Sequence, residues 1–405
     1  MLLGFKRDRK ADRSPAIPRT VWALGLVSLF MDISSEIIHS LLPLFMTATL
    51  GLGVALVGLI DGIAEATASI TKVFSGYASD RMGRRKPLIL LGYGLGAASK
   101  PFFPLAAGAV PVLAARFADR IGKGIRGAPR DALVADVTPP EIRGRAFGLR
   151  QSLDTVGAFV GPLLAIGLML LFANDIRAVF WIAIIPAFLA VLCVIVWVED
   201  RAVPDGAARV PIRLAELKQL DRAYWMVVAT GVMFTLARFS EAFLILKATA
   251  EGLPLWLAPA VLVVMNVVYA AGAYPAGVLS DRVAARTLLV WGLACLILAD
   301  LLLAFTTGLA GAFGGICLWG LHMALTQGLL AKLVADKASP RLRGSAFGLF
   351  NLATGVSLLI ASVAAGLLWD VYGPDTTFIA GAGFAAVAGM MLLTWRGGVS
   401  LDAAA

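Results

Sequence analysis

The stretch GYASDRMGRRKP, residues 76–87, sets Arg81, Arg84, Arg85 and Lys86 beside a single acid, Asp80, with long apolar runs on both sides. A run of about 20 apolar residues is the length at which an α-helix crosses ~30 Å of hydrocarbon. Twelve such runs fill the chain, near residues 20–46, 54–78, 87–108, 110–133, 145–171, 178–198, 222–248, 256–280, 286–306, 311–335, 345–370 and 376–396. They account for a composition of 59% hydrophobic and 15% charged residues and a mean hydropathy of +0.85, against roughly 45–50% and 25% in soluble domains. The reading is an all-α integral membrane protein with the lipid bilayer as its solvent.

The first run carries Asp32 and Glu36 and has no small-residue cleavage site, so it is expected to be a retained helix rather than a secretory signal. The formal charge of +9 comes mainly from alternate loops, at residues 6–19, 81–86, 143–145, 201–218, 282–286 and 337–343. The intervening loops, such as 49–55 and 306–312, carry no charge. That asymmetry is the positive-inside pattern, which sets the basic loops and both termini in the cytoplasm of a cell with an inner membrane and argues against a nucleic-acid partner. Cys193, Cys295 and Cys317 lie in apolar segments without CxxC spacing and read as packed thiols.

Residues 199–221 form the longest polar interruption and divide the chain into a basic tail (1–19), six spans (20–198), a linker (199–221), six more spans (222–396) and a second tail (397–405). The linker reads as a short surface helix or a flexible tether. The halves repeat each other. Arg143-Gly-Arg-Ala-Phe-Gly-Leu149 recurs as Arg343-Gly-Ser-Ala-Phe-Gly-Leu349, Ser79-Asp80-Arg81 as Ser280-Asp281-Arg282, and Ser35-Glu36 as Ser240-Glu241. Two six-helix bundles related along the membrane normal put a substrate path at their interface, near the bilayer midplane.

With these residues in place the chain resembles the major facilitator superfamily over nearly its whole length. Gly76-x-x-x-Asp80-Arg81-x-Gly83-Arg84-Arg85-Lys86 is similar to that family's signature loop between helices 2 and 3. Arg120-x-x-x-Gly124 in helix 4 is similar to its second signature, whose arginine is implicated in proton coupling in many antiporters. The resemblance implies that Asp80 pairs with nearby arginines and faces the start of helix 11, a cytoplasmic latch formed by Gly76, Asp80, Arg81, Gly83, Arg84 and Arg143, with Asp281, Arg282 and Arg343 from the second half. Ala284 stands where the second copy would have its glycine, which implies a weaker latch there. A monomer is the family's implied state.

Ionisable residues inside a bilayer cost about 2.5–3.5 kcal/mol each on insertion scales and mark function. In helix 1, Asp32, Glu36 and His39 share a face; in helix 2, Asp61, Glu65 and Lys72; in helix 4, Arg116, Arg120, Lys123 and Arg130. Glu36, Glu65, Arg120 and Lys123 are expected at matching depth. Asp32, Glu36, Asp61, Glu65, Arg120 and Lys123 form the candidate proton-coupling set, because a carboxylate that loses its cation gains proton affinity. A static ion-pair network is the other reading.

The second half is sparser. Arg238, Glu241, Asn266, Tyr269, His322 and Gln327, with Arg126 from the first half, suit substrate hydrogen bonding. These features indicate a secondary transporter of a small molecule, coupled to protons or to sodium, with an organic anion or amphiphile favoured because arginine's fork suits carboxylate and phosphate. A divalent-metal carrier using Asp32, Glu36 and His39 is an alternative, and a transporter-like receptor acting through a partner is another. No GxSxG, HExxH or P-loop motif is present, so neither an enzyme nor an ATP-driven pump is expected, and no cofactor.

Overall fold

The computed structural model describes residues 16–82, 84–200, 220–280, 282–337 and 343–394. The linker therefore falls outside the described residues, apart from its first and last positions. Fourteen α-helices and no strand are found among the described residues. Ten helical segments are long and apolar enough to cross a membrane. The two remaining predicted spans differ for physical reasons. The fourth, α5 (Ala109–Val137), is a continuous helix of 29 residues; its Arg116, Arg120, Lys123, Arg126 and Arg130 give it too much charge for an apolar span. The seventh is broken.

That break corrects the continuous helix expected over 222–248. Helix α8 (Arg222–Leu236) stops, residues 237–241 leave helical geometry, and α9 (Ala242–Ala250) resumes. Neither Gly nor Pro lies in the break. Side chains hold it instead, since irregular backbone at membrane depth persists only where its polar groups are satisfied. The Ser240 amide donates to Ser362 Oγ at 3.2 Å, and the Ala242 amide to Ser240 Oγ at 3.2 Å. The third span is interrupted too: α3 (Lys86–Ser99) and α4 (Phe102–Leu105) flank Lys100-Pro101.

The remaining helices are α1 (Arg19–Leu44), α2 (Val54–Met82), α6 (Arg143–Leu171), α7 (Ile176–Trp197), α10 (Ala260–Leu279), α11 (Ala285–Phe305), α12 (Leu309–Lys337), α13 (Arg343–Tyr372) and α14 (Pro374–Thr394). In the first half α1 packs on α6 and α7, and α5 on α2 and α3. In the second, α11 packs on α12 and α14, and α10 on α12. The halves meet where α2 runs along α13, with lesser contacts of α6 on α10 and of α1 on α9. Small residues permit the α2–α13 approach: Gly58 lies against the Ser362 carbonyl and Gly366 against Ala55, with no room for a Cβ at either.

On the face away from the basic loops, a carboxylate of one half caps a helix of the other. Asp370, near the end of α13, accepts hydrogen bonds from the Val54 and Ala55 amides at 2.9 Å each, at the start of α2. These amides have no partner within their own helix, and the helix dipole favours a negative charge there. Replacing Asp370 by Ala is expected to destabilise the protein by about 1 kcal/mol, the usual worth of an N-terminal cap. Thiol labelling of a cysteine placed at Val54 is expected to quicken at the same time; unchanged labelling would show that the cap does not hold the halves together on this face.

Candidate functional site

Where the halves meet, a cavity of about 290 Å³ opens, close to the lower end of the range for small-molecule pockets. The first half supplies Glu36 and His39 from α1, Asp61 and Glu65 from α2, and Arg120 and Lys123 from α5. The second supplies Arg238, Phe239, Ser240 and Glu241 from the break, Asn266 from α10 and Ser362 from α13. The break thus has a purpose visible in its geometry: it turns four consecutive side chains toward the cavity, which a continuous helix cannot do at ~100° per residue.

Most of the charge is paired. Asp61 Oδ1 lies 3.2 Å from Arg116 Nη2, and both are buried. The other oxygen, Oδ2, accepts the Ser240 hydroxyl at 2.8 Å, so one carboxylate ties α2 and α5 to the broken helix of the opposite half. Glu65 Oε1 meets Arg120 Nη1 at 3.1 Å. Behind them Asp119 binds Lys100 Nζ at 2.9 Å, and Lys100 also donates to Ser35 Oγ at 3.0 Å. Glu36 Oε2 lies 3.5 Å from His39 Nδ1. A further cluster, Arg130 with Asp131 at 3.2 Å and with Asp154 at 3.7 Å, lies nearer the basic loops and is joined by Arg150, 3.6 Å from Asp154. Pairing of this kind offsets the desolvation of each partner.

Two cavity cations are different. Among the described residues neither Lys123 nor Arg238 has a carboxylate within 4.0 Å. They come from opposite halves and face the same space. Glu241 likewise has no ion-pair partner among the described residues.

Of the six residues expected in proton coupling, five line the cavity. The sixth, Asp32, packs its Cβ against Gly157 of α6, and its carboxyl meets that of Asp154. Asp32, Glu36 and His39 therefore do not converge, and among the described residues no group of three His, Cys, Asp or Glu side chains is placed to hold a metal ion. Arg238, Glu241 and Asn266 reach the cavity, whereas Arg126, Tyr269, His322 and Gln327 do not. Arg126 is buried with its guanidinium 4.7 Å from the centre of the Tyr93 ring. Tyr269 packs on the apolar core, Gln327 lies elsewhere on α12, and buried His322 bonds the Gly292 carbonyl through Nδ1 at 2.8 Å while stacking on Phe234.

Of the latch residues, Gly83, Asp281 and the side chains of Asp80, Arg81 and Arg343 lie outside the described residues. Gly76 faces Ala128 of α5, Arg84, Arg143 and Arg282 are exposed, and Arg143 Nε donates to the Thr138 carbonyl. The loop's anchor is Arg85, which belongs to the signature loop but not to the candidate latch set. Buried Arg85 donates to Ser79 Oγ at 2.6 Å and to Asp136 Oδ2 at 3.3 Å, and its amide binds Asp200 at 3.2 Å. Ser240 and Lys100 were also passed over as site-forming groups. The recurrence of Ser35-Glu36 as Ser240-Glu241 was the available signal: both serines bond a charged partner and both glutamates line the cavity.

A sequence profile described as Major Facilitator Superfamily matches residues 24–357 and 256–400. The chain belongs to this superfamily. It is 30% identical, over 96% of its length and 98% of the other's, to an uncharacterized MFS-type transporter of Methanocaldococcus jannaschii. It is 26% identical to the multidrug resistance protein MdtH of Edwardsiella ictaluri over 85% of both chains. Its fold matches the crystal structure of the nucleoside transporter NupG with a TM-score of 0.78 at 13% identity, covering 93% of this chain and 100% of that one. The human organic anion transporter MFSD10 matches with a TM-score of 0.64 at 17% identity, covering 94% and 100%. At such identities the two structures bear on the fold alone. The superfamily membership makes this chain a multi-pass membrane transporter rather than an enzyme.

The two acids of α2 are expected to answer differently to neutralisation. Asp61→Asn leaves Arg116, 1% exposed, without its charge partner, a loss of about 3–5 kcal/mol. Glu65→Gln acts on a side chain 37% exposed, and its partner Arg120 keeps Asp119 at 3.9 Å, so this variant is expected to leave the fold intact. Thermal unfolding of both purified variants checks this; equal stability would contradict the pairing described.

Proposed function

We propose that this superfamily member carries an organic anion, or an amphiphile with an anionic head, across the cytoplasmic membrane by alternating access, and that protons drive it. The observation that carries the reading is the pair Lys123 and Arg238, without a carboxylate within 4.0 Å among the described residues and facing one cavity from opposite halves. An anion held between them contacts both halves at once, so its binding bears on how the halves sit relative to each other, as alternating access requires. Arg238 offers a planar fork for a carboxylate or phosphate, Lys123 a compact charge, and Asn266 and Ser362 neutral hydrogen bonds.

Glu65 and Glu36 supply the coupling. A proton on Glu65 releases Arg120, and a proton on Glu36 releases His39; either event adds positive character to the cavity and strengthens its hold on an anion. Sodium in place of protons is the variant that the α2 carboxylates would also accept. The likeness to MdtH favours export of the substrate, and the positive-inside pattern favours cytoplasmic basic loops and termini in a monomer. A divalent-metal carrier finds no assembled ligand set among the described residues.

The test is thermal stabilisation of the purified protein by organic anions, divalent metals and lipophilic cations, since a ligand that binds the folded state raises its apparent stability with concentration over affinity. Stabilisation by a carboxylate or organophosphate is expected, and is expected to vanish in Arg238→Ala and to weaken in Lys123→Ala. Stabilisation by metals or cations alone would overturn the anion reading.

A further inference from the structure

The second half contains a buried acid that the transport site does not use. Asp300, on α11 five residues from its end, is 0% exposed, and among the described residues neither carboxyl oxygen has a hydrogen-bond partner. Its surroundings are aromatic and bare. A Cβ on Gly381 of α14 would lie 2.7 Å from Asp300 Oδ2 and 3.1 Å from Phe239 Cε1, so the acid and the ring share the space over that glycine. Phe239 in turn packs on Phe243, Trp319 and Phe378, with ring centres 5.2, 5.3 and 5.5 Å away. The Trp319 indole N–H is also buried without a partner.

Phe239 is at the same time a wall of the central cavity. Asp300 therefore sits one aromatic ring behind the solvent-lined space. Among the described residues, the charged and imidazole groups nearest it on α12, α14 and the break are engaged elsewhere. His322 on α12 bonds Gly292, two turns along α11; Asp375 at the start of α14 binds Lys247; Arg238 and Glu241 of the break line the cavity. An ionised carboxylate without a partner in such an apolar site is too costly to keep, and the group neutralises instead. In the first half, by contrast, Asp61, Glu65 and Asp119 all have cations beside them.

We propose that Asp300 is a proton-binding site of the second half, closed by Phe239 and opened to the cavity when that ring swings aside. While closed, the side chain is the neutral acid. When the ring moves, water reaches it, the carboxyl O–H bond breaks, the proton passes to that water, and the electron pair stays on the carboxylate; reloading is the reverse. Its place in a coupled cycle rests on the proton-driven reading above, but the site itself does not.

Infrared spectroscopy of the purified protein in lipid tests it without any substrate. The wild type is expected to show the carbonyl stretch of a protonated carboxylic acid, lost in Asp300→Asn and retained in Glu65→Gln. The conservative Asp300→Glu is expected to shift the band rather than remove it, which keeps the assignment readable if Asp300→Asn fails to fold. On transfer to heavy water the band is expected to move slowly in the wild type and several-fold faster in Phe239→Ala. No acid band assignable to Asp300, or equal exchange with and without the ring, would overturn the proposal. Loss of proton-driven transport elsewhere in the protein leaves these readings unchanged, so the two failures are told apart.

Discussion

A charge in hydrocarbon must find a partner or be given up, and this constraint organises the molecule. The contact on which most depends is Asp61, which binds Arg116 with one oxygen and the Ser240 hydroxyl of the opposite half with the other. The first oxygen fixes α2 against α5. The second holds the broken helix in register with the first half, and the Ser240 amide continues the link to Ser362. Because the break is held there, Arg238 and Glu241 face the cavity.

The same constraint sorts the charges by how completely they are paired. Lys100 with Asp119 and Arg116 with Asp61 are buried on both sides and paired; moving a proton onto either acid would strand a buried cation. Glu65 and Glu36 are partly exposed to the cavity and can exchange partners at lower cost. Lys123 and Arg238 have no carboxylate within 4.0 Å among the described residues, and the proposed anion site rests on them. The proposal thus places function in the groups whose pairing is incomplete.

Much of this was legible in the sequence. Hydropathy marked the spans, the 76–87 stretch and the recurrence after 200 residues marked the architecture, and five of the six candidate coupling residues picked out by helical spacing line one cavity. What stayed hidden follows from packing between elements. Asp32 shares a helical face with Glu36 yet is drawn to α6 by the bare surface at Gly157. The break at 237–241 has no Gly or Pro to announce it, being held by its own Ser240 and by Ser362 of α13. His322 and Arg126 have the residue types of a site but spend their polar atoms on a backbone carbonyl and on an aromatic face. Asp300 is an isolated acid in an apolar run, without periodic company to draw notice.

In the proposed cycle an anion bridging Lys123 and Arg238 is moved by a proton gradient. Its most direct test is vesicle flux with the purified chain alone, using a fluorescent carboxylate as probe and a pH gradient of either sign. The probe is expected to accumulate against its gradient for one sign of the pH gradient. That accumulation is expected to collapse when a protonophore is added, and to be absent from vesicles carrying Arg238→Glu. Probe movement indifferent to the pH gradient, or an equal rate in Arg238→Glu, would contradict it.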